Sequence, residues 1–181
     1  MKEISLHILD IMHNSITAGA SLICLDVIED EKKDELSFLV KDNGKGMSPE
    51  FLKTVVDPFT TGRKTRKVGL GIPLTKQAAE ACGGSFNIES EEGKGTIVKA
   101  VFGYSNIDRQ PLGDMAETMH QLITSFENVD FIYTHKINEK EFYVDTREIK
   151  KILGDVSLKE NEISLWLLGY LKDGESELIS K

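Results

Sequence analysis

Two polar side chains share one face of the first predicted helix. Asp10 and Asn14 are four positions apart in a segment rich in isoleucine, and His7 precedes Asp10 by three positions. An amide oxygen suits a Mg²⁺ ion that also binds substrate phosphates. A carboxylate one helical turn away can orient or deprotonate an attacking hydroxyl or water. A solvated helix face would give the same spacing, so this segment alone leaves both interpretations open.

Three glycine-containing segments follow this helix, and the first reads DNGKG at residues 42–46. Asp42 lies at the end of a predicted strand, where its carboxylate can accept a hydrogen bond from an exocyclic amine. The glycines after it allow the backbone to approach a flat ring closely. An ordinary Asp-Asn-Gly turn is the alternative interpretation.

The second segment combines cations with glycines. Arg63, Lys64, Arg66 and Lys67 form a basic island in an acidic chain, and GLG follows at residues 69–71, just before a predicted helix. Backbone amides at the start of a helix bind phosphates well, and the four cations could neutralise a polyphosphate. The segment lacks the Gly-Lys-Ser/Thr of a P-loop, and a solvated basic loop is the alternative.

The third segment is GKGT at residues 93–96. Each glycine segment alone is common in turns, whereas the ordered set behind a polar helix is much more specific. Apolar periodicity, alternation and capping residues predict the elements that must position this set. They are helix 4–17, strands 21–29 and 36–41, a short helix opened by Ser48, helix 72–82, strands 85–90 and 96–102, helix 113–126, a hairpin of 131–134 and 142–145, and helices capped at Asp145 and Ser157.

The composition is that of a folded, acidic protein. Its 181 residues carry 22 Lys and Arg against 30 Asp and Glu, a net charge of −8, which argues against a nucleic-acid binder that relies on bulk charge. Cys24 and Cys82 form no CxxC or Cys/His set, which excludes a disulfide framework and disfavours structural zinc. The sequence has no apolar run near the ~18 residues of a membrane span and no signal peptide. We therefore expect a cytoplasmic protein that binds neither nucleic acid nor membrane.

The ordered set resembles the GHKL ATPase superfamily, which includes histidine kinases, gyrase, MutL, a heat-shock chaperone and the anti-sigma serine kinases. The resemblance covers about residues 4–102. Its parts are the N box at 10–14 (DIMHN), the first glycine box at 42–46, the F box at 57–61 (DPFTT), the second glycine box at 69–71 and the last turn at 93–96.

The resemblance implies an α/β (α+β) fold for residues 1–103, in which helices and a mixed sheet form the two layers of a Bergerat sandwich. ATP would lie between these layers under a lid from Phe59 to Gly69, which is short, as in the kinase branches. Residues 104–181 resemble no family that we can name, and we expect them to form a small α+β appendage. The last predicted helix is apolar on nearly all sides, which favours docking onto the ATPase part or, alternatively, a partner or dimer surface.

The family assigns roles to individual positions. Asn14 would bind Mg²⁺, and Asp10 would be the general base at a position where Glu, one methylene longer, is more usual. Asp42 would bind the adenine amine, with Gly46 against the ring and Thr96 behind it. The residues expected to contact Mg-ATP are Asn14, Asp42, Gly44, Gly46, Met47, Phe59, Thr60, Thr61, Arg63, Lys64, Gly69, Leu70, Gly71, Ile72 and Thr96.

Three functions fit this resemblance. The first is a kinase that phosphorylates a protein partner in trans, as the stand-alone anti-sigma serine kinases do. The second is a switch that binds ATP without turnover, and the third is a slow ATPase that times a dimer clamp, which the short lid disfavours. Since the N box begins almost at Met1 and none of the four histidines has a phosphoacceptor context, we expect no autophosphorylating sensor kinase. The sequence implies signalling through a regulated partner and leaves homodimerisation open.

Overall fold

The computed structural model describes residues 2–57 and 70–180. Its elements alternate between helices and antiparallel strand pairs, as the hydrophobic periods predict. In chain order they are α1 (Ile4–Thr17), β1 (Leu22–Asp30), β2 (Glu35–Asp42), α2 (Pro49–Val55), α3 (Gly71–Ala81), β3 (Ser85–Glu91), β4 (Gly95–Gly103), α4 (Met115–Ser125), β5 (Asp130–Ile137), β6 (Lys140–Asp145), α5 (Thr146–Leu153) and α6 (Asn161–Ile179).

The described strands form one mixed sheet in the order β3-β4-β2-β1-β5-β6. Alternate residues of the central strands are buried, for example Ile23, Leu25 and Val27 on β1, while their neighbours along the strand are half-buried or exposed. Such alternation marks a sheet with one covered face. The buried side chains of α1, α3, α4 and α6 belong to the same core as this face, so the predicted two-layer arrangement of helices on a mixed sheet is confirmed.

Helix α1 lies against the sheet along a stripe of spaced residues. Ile4, Ile8 and Ile11 are at most 2 % exposed, and Ser15 continues the stripe one turn later at 3 %. Positions separated by three and four residues recur on one helix face. Ser15 is therefore a hydroxyl on the core-facing side of α1, close to the end of the helix.

The C-terminal residues extend the sheet that the N-terminal residues begin. Strand β5 pairs in parallel with β1, with Leu22 opposite Asp130, and β6 pairs antiparallel with β5. Phe131 and Tyr133 of β5 and Leu171 of α6 lie in the same core cluster as Ile8 of α1. The division at residues 103 and 104 stays a prediction, and the sheet and the core cross it.

Two capping predictions have different outcomes. Ser48 accepts a hydrogen bond from the Phe51 backbone N–H at 3.2 Å and starts α2, as predicted. The predicted cap at Ser157 is wrong, because α6 begins only at Asn161. The Ser157 hydroxyl donates to Glu127 Oε1 at 2.6 Å and accepts from the backbone N–H two residues further on at 3.0 Å, so it holds a turn that precedes the helix.

None of the helices within residues 2–57 and 70–180 has the length and apolar character that a membrane crossing requires.

Candidate nucleotide site

A cavity of about 490 Å³ opens where the C-terminal half of α1, the end of β2 and the start of α3 meet. Ligand pockets of this size usually combine apolar walls with a few fixed polar groups. The walls here include the side chains of Ile11, Phe51, Ile72 and Val98, and the polar groups include those of Asn14, Ser15, Asp42, Lys45, Glu92 and Thr96.

Asp42 forms the polar end of the cavity floor. Its side chain is buried, with 8 % of its surface exposed. Oδ2 accepts a hydrogen bond from Ser15 Oγ at 2.6 Å, and Oδ1 accepts one from the Gly44 backbone N–H at 2.9 Å. Each carboxylate oxygen has a further lone pair, so Asp42 can still accept a hydrogen bond from a ligand.

Two glycines allow the loop after Asp42 to pack against the turn between β3 and β4. Gly46 has a φ of 68°, and a side chain there would lie 2.0 Å from the backbone oxygen of Glu91. Gly95 has a φ of 119°, and its side chain would meet the backbone oxygen of Asp42 at 2.0 Å. Only glycine fits such close backbone contacts at positive φ. These glycines therefore fix the loop that carries Asp42.

Thr96 lies beside Asp42 in the sheet, because the two residues are opposite each other in the antiparallel pair of β2 and β4. The hydroxyl of Thr96 is 2.8 Å from Ser90 Oγ. Ser90 Oγ also accepts from the Met47 backbone N–H at 2.8 Å and donates to the Gly95 backbone oxygen at 3.0 Å. Ser90 thus holds together the loop at Met47 and the strand at Thr96.

Asn14 lies on the wall of the cavity, one helical turn after Asp10. Its Nδ2 atom is buried and has no hydrogen-bond partner within the described parts of the chain. Asn14 itself lines the cavity. The amide oxygen of such a side chain is a ligand that suits Mg²⁺ bound together with phosphates and water.

The start of α3 lies directly against Asp10. A β-carbon on Gly71, the first residue of α3, would be 3.1 Å from the β-carbon of Asp10 and 3.3 Å from its Oδ2. The N-cap residue is Leu70, whose side chain cannot cap the helix, and Pro73 has no backbone N–H. The backbone N–H groups of Gly71 and Ile72 are the donors that such a helix start offers to an anion. A carboxylate and these donors therefore lie side by side.

His7 precedes Asp10 by one turn of α1 and lies in the interior between α1 and α3. Its Nδ1 is 3.1 Å from Thr75 Oγ1, and its Nε2 is 2.9 Å from Gln110 Oε1. Burial outweighs the hydrogen bond to Gln110 and lowers the pKa of His7 below its usual value. The imidazole is therefore neutral near pH 7.

The structure brings together most of the described residues that the sequence singles out. Six of them line the cavity: Asn14, Asp42, Gly46, Met47, Ile72 and Thr96. Asp10, Gly44, Leu70 and Gly71 lie next to it rather than on its wall. Phe59, Thr60, Thr61, Arg63, Lys64 and Gly69 lie outside the described residues.

Sequence reasoning missed Ser15 and Lys45, which line the cavity, and Ser90, which connects Met47 and Thr96 of its wall. The signal for Ser15 was present, because a hydroxyl on the apolar stripe of α1 requires a buried partner. Ser90 carried no such signal, since its partners come from residues 47, 95 and 96 and meet only in the folded sheet. Lys45 lies within the first glycine box, whose pattern assigns no role to this position.

Three curated relatives from bacteria match about half of the chain or less. An NtrY-like sensor histidine kinase of Rickettsia prowazekii is 33 % identical over 78 residues, which are 43 % of this chain and 13 % of the relative. The sensor protein SrrB of Staphylococcus aureus is 39 % identical over 72 residues, 37 % of this chain and 12 % of the relative. The sensor histidine kinase YvrG of Bacillus subtilis is 26 % identical over 97 residues, 51 % of this chain and 17 % of the relative.

Each of these matches spans less than a fifth of the relative's own length. Among solved structures, the N-terminal domain of a DNA repair protein is similar, with a TM-score of 0.53 and 13 % identity. The superposition covers 86 % of this chain and 58 % of that one, and it supports the fold alone.

The sequence profile of one family matches residues 2–105, more than half of the chain. This range contains α1, the strands β1 to β4, α3 and every residue that lines the cavity. The chain belongs to the family of histidine kinase-, DNA gyrase B- and HSP90-like ATPases.

Proposed function

We propose that the chain binds Mg-ATP in this cavity and transfers the terminal phosphoryl group to a protein partner in trans. One observation carries the proposal: Asp10 and the start of α3 lie side by side, one helical turn from Asn14 and next to the cavity that Asn14 and Asp42 line. A carboxylate beside a phosphate-binding helix start is placed to act on an attacking group. The family membership supports the nucleotide, and the relatives named as sensor histidine kinases support the transfer.

The adenine end of the proposed site is Asp42. Its carboxylate accepts a hydrogen bond from the exocyclic amine of adenine, while hydrogen bonds from Ser15 and the Gly44 backbone N–H hold the carboxylate in place. Thr96 lies beside it on the neighbouring strand, with its hydroxyl oriented by Ser90. Beyond these two hydrogen bonds the carboxylate has lone pairs that can accept from a ligand, so this end favours a base that carries an amine.

The phosphate end is the start of α3. The backbone N–H groups of Gly71 and Ile72 bind phosphate oxygens, and the positive end of the helix dipole adds to this attraction. Asn14 would supply an oxygen ligand to Mg²⁺, and the ion would neutralise charge on the phosphates. Asp10 orients the acceptor hydroxyl, imidazole or water and takes its proton as the new bond to phosphorus forms, while the bond from that phosphorus to the bridging oxygen breaks and ADP leaves.

Phosphate release from Mg-ATP by wild type and Asp10→Asn tests the catalytic part of this proposal. We expect turnover in wild type and a loss of at least about 100-fold in Asp10→Asn, because removal of a general base typically costs 10²–10⁴-fold. Asp155→Asn, an exposed carboxylate of the loop before α6, is the matched control and should keep full turnover. ATP binding without phosphate release by either protein would favour the switch without turnover, or a kinase that transfers phosphate only when its partner is present.

A further inference from the structure

His7 links the segment between β4 and α4 to the first residue of α3 through a chain of hydrogen bonds in the interior. The imidazole is 2 % exposed, and each ring nitrogen has a partner from a distant part of the sequence. Thr75 lies 68 residues and Gln110 lies 103 residues away along the chain. Neither contact belongs to the cavity wall described above.

Thr75 carries the connection onward to the backbone of α3. Its side chain is fully buried, and its Oγ1 is 2.7 Å from the backbone oxygen of Gly71, to which it donates. The Thr75 hydroxyl is also 3.1 Å from Nδ1 of His7, so it lies within hydrogen-bond distance of both the His7 ring and the Gly71 backbone. The contacts therefore run from His7 through Thr75 to Gly71.

The end of this chain lies where the proposed phosphate donors begin. Gly71 is the residue whose backbone faces Asp10. A β-carbon on Gly71 would lie 3.3 Å from Oδ2 of Asp10. His7 and Asp10 are three positions apart on α1. Helix α1 therefore carries Asp10 and also carries His7, which contacts the Gly71 backbone opposite Asp10 through Thr75.

Stability alone gives a poor account of this arrangement. Each buried hydrogen bond contributes only about 1 kcal/mol net, and apolar side chains of similar shape would serve a core equally well. A fully satisfied buried network instead fixes one geometry of the groups that it connects. Here the connected groups are α1 and the start of α3, and the geometry is the spacing between Asp10 and Gly71.

We propose that His7 is a positioning residue for the phosphate end of the nucleotide site, acting through Thr75 on Gly71. This inference rests on the proposed function, since it concerns how the start of α3 is held for phosphate binding. Asp42 lies at the other end of the site and has its own partners, Ser15 and Gly44. Loss of the His7–Thr75 contact should therefore weaken binding of a triphosphate and leave binding of the nucleoside unchanged.

The test compares Thr75→Val, which keeps the shape but loses the hydroxyl, with Thr75→Ser, which keeps the hydroxyl. Dissociation constants are measured for AMP-PNP with Mg²⁺ by calorimetry and for adenosine by NMR titration. We expect Thr75→Val to bind AMP-PNP about tenfold more weakly and adenosine within about twofold of wild type. Thr75→Ser should bind both ligands like wild type, which a role in folding alone would not produce.

A second pair addresses the imidazole itself, and it also serves if Thr75→Val fails to fold. An Asn amide can donate or accept a hydrogen bond at the Nδ1 position, whereas Leu can do neither. His7→Asn should keep most of the AMP-PNP affinity, and His7→Leu should lose about as much as Thr75→Val. The fluorescence of Trp166, the single tryptophan of the chain, reports the fold of each variant without nucleotide.

Failure of this inference differs from failure of the proposed function. If wild type binds neither ligand, the nucleotide site itself is refuted and the inference falls with it. If wild type binds AMP-PNP and folded Thr75→Val and His7→Leu bind it equally well, only the inference is refuted. Equal losses for AMP-PNP and adenosine would also refute it, because they would reveal a general loosening of the site.

Discussion

The side chain of Asp10 lies against the backbone of Gly71, with 3.1 Å between its β-carbon and the place that a β-carbon on Gly71 would take. Contacts this short between α1 and α3 leave room only for glycine unless Asp10 moves. The carboxylate that we propose as a base is therefore held next to the helix start that we propose as the phosphate site. The predictions below test this arrangement and the structure that supports it.

Gly71→Ala should reduce turnover more than stability. The added methyl group crowds Asp10 and must displace it by a few tenths of an ångström, while alanine favours the helix by ~1 kcal/mol over glycine. We expect phosphate release to fall about tenfold, equal to ~1.4 kcal/mol in the barrier. Gly169→Ala is the matched control, because that position in α6 has nothing within 4 Å, and turnover should be unchanged there.

Ser15→Ala should affect both stability and the adenine end of the site. The change removes the 2.6 Å hydrogen bond to Asp42 Oδ2 and leaves that buried oxygen without its donor. We expect a loss of ~1–3 kcal/mol in the free energy of unfolding, measured with urea, and weaker adenosine binding. The exposed Ser176→Ala in α6 should change neither quantity. Unchanged adenosine binding in Ser15→Ala would argue against the role of Asp42.

The stability of the fold should depend on pH through His135. Burial disfavours the charged imidazole, but the hydrogen bond to Glu175 and the ion pair with Glu29 outweigh burial and raise the pKa of His135 to about 9. Its Nδ1 lies 2.7 Å from Glu175 Oε2 on α6, and Nε2 lies 3.6 Å from Glu29 Oε2 on β1.

Because the folded-state pKa exceeds the ordinary value of 6.5, the stabilisation is complete below pH 6.5 and is lost as pH rises to about 9. Urea titrations between pH 6 and 9.5 should show this decline in wild type. His135→Gln should be less stable at pH 6 and should have a flatter profile. Parallel profiles for the two proteins would contradict the ion pair.

Helix α6 should unfold together with the N-terminal part of the chain. Leu171 has no exposed surface and packs in the core that both halves share, whereas Leu165 is 64 % exposed. Leu171→Ala should cost ~2–5 kcal/mol and shift one single transition, and Leu165→Ala should cost less than ~0.5 kcal/mol. Two separate transitions by circular dichroism and Trp166 fluorescence would instead support two independent domains.

Local patterns predicted the individual elements well. The spacing of Ile4, Ile8 and Ile11 predicted α1, and alternation of apolar residues predicted the strands of the hairpins. Both periods depend only on residues that are close in the sequence. The parallel pairing of β5 with β1 was out of reach, since residues 22 and 130 are brought together only by the folded core. The later start of α6 was out of reach for the same reason, since the Ser157 hydroxyl is held by Glu127, which lies 30 residues away along the chain.

The candidate site divides in the same way. Asp10, Asn14 and Asp42 could be selected from their types and spacing, and the family resemblance supplied their roles. The pairs of residues that hold them could not be predicted: Ser15 with Asp42, Ser90 with Thr96, and His7 with Thr75. The sequence shows at most that a side chain such as that of Ser15 needs a buried partner, and only the folded structure shows which one.

The most direct test of the central claim is a calorimetric titration of the full chain with Mg-ATP, for wild type, Asp42→Asn, Asn14→Ala and the exposed control Asp108→Asn. The account predicts binding of one ATP by wild type and by the control, a loss of at least about tenfold in Asp42→Asn, and a loss in Asn14→Ala that matches the removal of Mg²⁺ from wild type. Absence of binding by folded wild type, or full affinity in Asp42→Asn, would contradict the assignment of this cavity to ATP.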